Sequence, residues 1–241
     1  MTGAFEYQGR ELDIFAHAAR WKRYWVSRVI QWVRGDVLEV GAGLGANTLL
    51  LQSSAVRSWH CLEPDPELGV RLHAAIADLP ATSASTGTIR TVAEHRFDSI
   101  LYLDVLEHIQ ADRDELSMAA SMLRPGGHLI VLSPAHQFLF SEFDASIGHH
   151  RRYNRNSLQA CSPPDCRLEV MFYLDCAGVL LSLANRLLLR QRMPTVRQIQ
   201  AWDMYVVPIS QIVDPVLKYR VGKTVVGVWT RRRDRPAGTD T

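Results

Sequence analysis

Apolar residues recur along this chain in two rhythms. Between residues 11 and 34, Leu12, Phe15, Ala19, Trp25, Val29 and Trp32 fall near helical spacing, with Arg20, Lys22, Arg23 and Arg28 between them. The spacing predicts one amphipathic helix, stopped by Gly35. From residue 36 onward, short apolar runs alternate with helical stretches. Strands are expected at about 36–41, around 59–62, near 82–85, at 97–103 and at 128–132. Helices are expected from Asn47, which would cap the first, from Pro66 to about Asp78, and from Asp112 to Leu123. Asp65 stands where a cap belongs, with Pro66 at the first helical position. Apolar strands alternating with helices predict a doubly wound, mostly parallel α/β sheet, since parallel strands are covered on both faces.

The rhythm breaks after the fifth strand. Residues 133–156 are polar and rich in His and Arg; 168–174 read as a sixth strand, 177–220 as largely helical and 224–230 as the last strand. Residues 1–35 are thus expected to form an N-terminal helical cap, and 36–241 one domain with a helical lid or insertion at about 175–221. Within the insertion, Ala177–Leu189 is apolar nearly all round and is followed by Arg190 and Arg192. The segment is too short to span a bilayer; a lid, a dimer contact or a helix lying on a membrane surface all suit it. The tail from Arg231 is basic, then rich in Pro, Gly and Thr, and is expected to fray.

Bulk composition narrows the function. A chain of 241 residues with 47% apolar and 22% charged residues has the makeup of an ordinary globular domain. A net charge of +2 gives no bulk case for nucleic acid, and the clusters at 151–155 and 231–235 lack interleaved aromatics. Cys61, Cys161, Cys166 and Cys176 show no Cys-x-x-Cys spacing, which suits a reducing compartment. The first residues lack a charged-then-apolar signal order, so a cytoplasmic monomer or homodimer without a transmembrane segment is expected.

The chemistry concentrates near residue 40. Val37-Leu38-Glu39-Val40-Gly41-Ala42-Gly43-Leu44-Gly45 runs a strand into three glycines at alternate positions. Glycine permits a tight turn and lets a ligand approach the backbone, and the helix that follows points its first N–H groups at the same place. Gly41, Gly43 and Ala46 satisfy a dinucleotide fingerprint, with Glu63 at the distance of a ribose-binding acid. A nicotinamide-dependent oxidoreductase therefore stays open on this loop alone. Glu39 shifts the balance, because a carboxylate there would repel a pyrophosphate and accept from an ammonium group.

Asp104-Val105-Leu106-Glu107-His108-Ile109 follows the fourth strand, and Leu123-Arg124-Pro125-Gly126-Gly127, read as a turn, precedes the fifth. With these runs, Glu63-Pro64-Asp65 and Phe97-Asp98, the chain resembles the class I S-adenosylmethionine-dependent methyltransferases over about residues 36–135. The resemblance implies a seven-stranded sheet with its last strand antiparallel. It implies that the loop at Gly41, Ala42, Gly43 and Gly45 passes under the cofactor, that Glu63 with Pro64 takes the ribose, and that Leu103 and Asp104 lie near its methionine end. Thr88 is the candidate at the adenine. A non-catalytic subunit on the same fold is a further alternative.

The loop after the fifth strand is substrate territory in such a sheet. Its Gly148-His149-His150-Arg151-Arg152-Tyr153 run is similar to one bacterial subgroup of these enzymes. His149 with Asp144 is the first candidate for base and partner, and His136 the second. Arg151, Arg152 and Tyr153 are candidates for binding the acceptor, which is expected to be small or lipid-like and methylated on oxygen. No metal is assigned, although Asp104, Glu107 and His108, completed by His136 or His149, leave a divalent ion open.

Overall fold

The computed structural model describes residues 10–189 and 193–233. Arg190, Arg192 and the tail after Arg233 lie outside the described residues. Seven strands form one sheet in the order β3-β2-β1-β4-β5-β7-β6. The strands are β1 (Gly35–Val40), β2 (Val56–Glu63), β3 (Thr82–Thr86), β4 (Phe97–Leu103), β5 (Leu123–Pro134), β6 (Cys166–Leu174) and β7 (Thr224–Arg231). The strands β1 to β5 pair in parallel, whereas β7 runs antiparallel to both β5 and β6. The doubly wound, seven-stranded architecture is the expected one. Its chain reverses direction across the sheet between β1 and β4, where open α/β sheets bind ligands.

Residues alternate between the two faces of each strand. Leu38, Ile100, Tyr102, Leu129 and Val131 pack on one face with α5 (Asp112–Met122) and with Leu158 of α7 (Arg155–Gln159). Val37, Leu101, Ile130 and Val228 pack on the other with α2 (Ala19–Val29). By the same alternation Glu39 joins Val37 on the α2 side. α3 (Ala46–Leu51) and α4 (Pro66–Ile76) follow the first two strands.

The expected single N-terminal helix is broken. It consists of α1 (Arg10–Phe15), α2 and a 3₁₀ turn at Ile30–Trp32. The backbone N–H groups of Arg20 and Trp21 donate to the Asp203 carboxylate at 3.0 and 2.8 Å. These are donors of the first turn of α2, so a partner remote in sequence begins the helix there. Other boundaries move as well. α3 starts at Ala46 with Gly45, φ 75°, as its cap in place of Asn47. α4 has the expected Asp65 cap, with Glu67 and Leu68 N–H groups donating to it, but ends at Ile76. Pro125-Gly126-Gly127 is absorbed into the irregular start of β5, which pairs Leu123 with Phe97.

The insertion before β7 holds α8 (Cys176–Ala184), a π-helical turn at Asn185–Leu189, α9 (Val196–Ala201), a second π-helical turn at Trp202–Val206 and α10 (Val207–Val216). Its three acids all turn inward. Asp203 caps α2. Asp214 accepts from the Tyr24 hydroxyl at 2.8 Å and from the N–H groups of Asp175 and Cys176. Asp175 accepts from Ser210 Oγ at 2.5 Å, Trp202 Nε1 at 2.9 Å and Gly178 N–H. No helix among the described residues is long and apolar enough to cross a membrane.

Candidate functional site

Among the described residues lie two cavities of similar size, and topology chooses between them. One, of about 650 Å³, lies by Arg34, His128 and Arg231, at the ends of the sheet away from the carboxyl termini of the parallel strands. The other, of about 620 Å³, opens beyond those carboxyl termini and is lined by Asp104, Glu107, Asp144, His149, Arg152 and Trp202, among others. The second is where parallel α/β sheets place their chemistry.

The glycine loop forms one side of this region. Gly41, Gly43 and Gly45 all have positive φ, at 66°, 56° and 75°. At Gly41 a Cβ would come within 2.6 Å of a Val105 methyl, so both conformation and space require glycine. At Gly43 a Cβ would meet Leu12 of α1 at 3.2 Å, which places α1 over the loop. Gly43 N–H donates to Glu63 Oε2 at 2.8 Å, and Asp65 N–H to Glu63 Oε1 at 3.0 Å. Burial raises the Glu63 pKa, and these two backbone donors oppose the rise. Gly87 N–H binds the Glu63 carbonyl at 2.9 Å, which brings exposed Thr88 next to Glu63; Pro64 is exposed on its other side. Ala42 is buried beneath the loop and donates its N–H to the Leu62 carbonyl.

Glu39 is 1% exposed. Its Oε2 accepts from Thr48 Oγ1 at 2.5 Å and Trp59 Nε1 at 3.1 Å, whereas Oε1 is buried without a partner. Burial pushes its carboxyl up to about 7, against the pull of those hydrogen bonds and of the Lys22 charge. An orphaned buried carboxylate oxygen marks a place where a donor or cation belongs. Leu103 is buried at the end of β4. Asp104 then adopts φ 57° and donates its N–H to Leu132. Its side chain is solvent-exposed within the cavity; the surrounding walls push its carboxyl up to about 7, opposed by Lys223, Lys22 and Arg152.

Across the cavity, α6 (Glu142–Ser146) carries Asp144, which is fully buried. It accepts from Ser141 N–H and Oγ at 2.8 and 2.9 Å, from Arg152 Nε and Nη2 at 2.8 and 2.9 Å, and bonds His149 Nδ1 at 2.9 Å. Burial alone would raise the Asp144 pKa; the His149 and Arg152 bonds outweigh it and hold the carboxyl well below the usual range. An ionised carboxylate only accepts, so the bond assigns the imidazole proton to Nδ1. His149 Nε2 is left as an acceptor, 3.8 Å from Glu107 Oε1. That oxygen is buried without a partner, while Oε2 accepts from Ser133 Oγ at 2.8 Å. Burial raises the Glu107 pKa well above the ordinary value, and neighbouring Asp104 adds to the rise.

Not every candidate reaches the cavity. Arg151 donates to Asp112 Oδ2 at 2.5 Å and Tyr153 to the same oxygen at 2.7 Å. These two residues, expected to bind the acceptor, instead fasten the loop to α5. Arg152 faces the cavity, with its Nε–Nη2 edge engaged by Asp144. His136 has φ 66° and stacks between Phe138 and Tyr173, with ring centroids 5.2 and 4.8 Å away. It is not among the residues that line the cavity. As for a metal, Glu107, His108 and His149 bring one ligand atom each within 4.8 Å of one another, without Asp104 or His136.

Two lysines were missed by sequence reasoning. Lys22 faces the Asp104 and Glu39 carboxylates, while partial burial lowers its pKa. On the sequence it belonged to the polar face of a helix, and no local signal marked it. Lys223 sits 3.8 Å from the Trp202 ring centroid and 3.4 Å from Asp175 Oδ2. It directly precedes β7, and only the sheet brings it to the cavity.

Comparison with known proteins agrees with the fold. A family model described as a methyltransferase domain matches residues 20–167. Among solved structures, coclaurine N-methyltransferase bound to N-methylheliamine and S-adenosylhomocysteine has TM-score 0.60 and 14% identity, over 89% of this chain and 72% of that one. N-methyltransferase NodS from Bradyrhizobium japonicum WM9 has TM-score 0.55 and 13% identity, over 90% and 97%. The [4+2]-cyclase SpnF, at TM-score 0.59 and 12% identity over 88% and 81%, shares the fold under a different named reaction. No curated protein matches the chain in sequence. The family match covers more than half of the chain and takes in the glycine loop, Glu39 and Glu63: this protein belongs to the methyltransferase-domain family, as a class I S-adenosylmethionine-dependent enzyme.

Proposed function

We propose that the protein methylates an oxygen of an acceptor with an apolar body, using His149 as general base. The observation that carries the reading is His149 itself. Its Nδ1 is locked by Asp144, and its Nε2 is turned toward Glu107 at the cavity wall. The rest of that wall is largely apolar, with Leu12, Phe15, Phe143, Leu181 and Trp202 in it. Arg152 and Lys223 are each paired with a carboxylate, so the cavity favours an uncharged acceptor end.

Bound S-adenosylmethionine supplies a methyl group already activated on a sulfonium. Gly41, Ala42, Gly43 and Gly45 would lie beneath it, Glu63, Pro64 and Thr88 at its nucleoside, and Leu103, Asp104 and Glu39 at its amino-acid end. Its ammonium suits the orphaned Glu39 oxygen, and its carboxylate suits Lys22. The chain's own chemistry is then proton removal and alignment. His149 Nε2 takes the acceptor's hydroxyl proton, Asp144 stays ionised and stabilises the imidazolium, and Arg152 fixes Asp144 from both oxygens. The loop subgroup suggested by Gly148–Tyr153 is consistent with this division, since His149 and Arg152 face the chemistry while Arg151 and Tyr153 hold the loop.

The test is transfer of a labelled methyl group into fractionated cell extract, followed by identification of the new bond. Label in the organic-soluble fraction, as a methyl ether or ester, supports the reading. Label on an amine nitrogen, as the names of two structural neighbours suggest, would replace the acceptor atom. A soluble, highly charged product would remove the apolar acceptor.

A further inference from the structure

We propose that the outer face of the helical insertion docks the protein onto an anionic lipid bilayer. α10 buries Val207, Ser210 and Asp214 on one side. The opposite side carries Ile209, Ile212 and Val216, which are 52%, 73% and 76% exposed. A helix that packs inward through one face ordinarily shows polar residues on the other. Here the outward face carries large apolar residues, while Ser210 and Asp214 are turned inward. α8, which packs against α10, adds exposed Leu180, its π-helical extension adds Leu187, and the turn before α10 adds Tyr205. Exposed apolar residues gathered on adjacent elements mark an interaction surface.

The charges around this face say what covers it. Between residues 175 and 223 the acids are Asp175, Asp203 and Asp214, and all three are buried. Each is used inside the fold, on α2, on Tyr24 or on Ser210 and Trp202. The exposed charges of the described insertion are Arg186, Arg197, Lys218 and Arg220, all positive. The sequence adds Arg190 and Arg192, whose placement lies outside the described residues. An exposed apolar face on an insertion whose exposed charges are all cationic complements a surface with an apolar interior and anionic headgroups. A second copy suits it less well, because a two-fold contact sets each patch against itself and would bring these cations together.

The same helices also line the cavity, through Leu181, Asn185 and Tyr205. Docking therefore sets the acceptor cavity beside the bilayer, where an apolar acceptor would reach it without crossing water. The inference stands apart from the assignment of His149, since it concerns where the protein sits rather than how the proton leaves.

Flotation of the full chain with phosphatidylcholine vesicles, with and without phosphatidylglycerol, tests it. Wild type is expected to float only with the anionic vesicles and to be released by salt. Ile212→Glu with Val216→Glu is expected to weaken partitioning at least about tenfold. Arg197→Glu with Arg220→Glu, which leaves the apolar face intact, is expected to abolish the preference for phosphatidylglycerol. S-adenosylhomocysteine calorimetry on each sample reports whether the variant is folded and whether the cofactor reading holds, independently of lipid. Failure of folded wild type to float with anionic vesicles overturns the proposal. So does a concentration-dependent dimer that Ile212→Glu converts to monomer.

Discussion

The side of the cavity proposed to hold the cofactor and the side proposed to hold the acceptor are built by different kinds of contact. On the cofactor side, Glu39 is held by Thr48 and Trp59, nine and twenty positions away, and Glu63 by Gly43 and Asp65, twenty and two away. On the acceptor side, Asp203 caps α2 from 182 and 183 positions away, and Asp214 meets Tyr24 across 190. The first set is a strand, a loop and a helix start folding on themselves. The second is a clasp between the beginning and end of the chain. The difference teaches that the contacts holding Glu39 and Glu63 form within one βαβ unit and the turn after it, whereas those of Asp203 and Asp214 exist only once the insertion has closed onto α2.

His149 offers the sharpest cut between the two sides. His149→Ala is expected to lower kcat about 100-fold to 10,000-fold. S-adenosylhomocysteine affinity should stay within about twofold of wild type by calorimetry. A parallel loss of cofactor affinity would show that the two sides are not separable.

The converse variant is Gly43→Val. The valine must adopt φ 56° and displace Leu12, so S-adenosylhomocysteine binding is expected to weaken about 100-fold, roughly 3 kcal/mol. Its melting temperature should change much less than its affinity.

Asp203→Ala breaks the clasp. Losing the carboxylate that receives two backbone N–H groups at the start of α2 should cost about 1–2 kcal/mol and lower the melting temperature by roughly 2–8 °C. Cofactor affinity should be restored when temperature is lowered below the transition.

Acidity separates the sides more gently. The Glu39 pKa rises on folding, from 4.5 to about 7, because burial disfavours its charge. The ligand-free fold binds the extra proton, so this residue's contribution to stability is present below pH 4.5 and is lost as pH rises through about 7. A bound ammonium favours the ionised form, so S-adenosylhomocysteine should bind several-fold more tightly as pH rises from about 5.5 to about 7.5, releasing a proton. Glu39→Gln should flatten that dependence in calorimetry run in two buffers.

The smallest expected effect is none. If His149 works as a base, exhaustive chelation leaves turnover unchanged. Activity lost to chelation and restored by magnesium or manganese would instead make Glu107, His108 and His149 a cation site.

Much of this molecule was legible before any coordinates. The alternation of apolar strands with helices foretold the sheet, because covering both faces of parallel strands leaves a pattern in every segment. The glycine run with Glu39 and Glu63 foretold the tight positive-φ loop between β1 and α3, because its contacts are short-range and its turn accepts few residue types. His149 with Asp144 was also visible, since the two stand five positions apart on one loop. Tertiary structure alone decided which neighbours of that pair matter. Arg151 and Tyr153 read as substrate contacts until Asp112, 39 and 41 positions away, claimed them. Lys22 read as a solvated helix residue until the fold set it before Glu39 and Asp104. The segment Ala177–Leu189 read as apolar nearly all round, and only packing divided the insertion into residues that line the cavity and residues left exposed. Spacing in sequence records contacts that the backbone makes with itself over a few turns. It carries no record of which distant acid will arrive to cap a helix or pair with a cation.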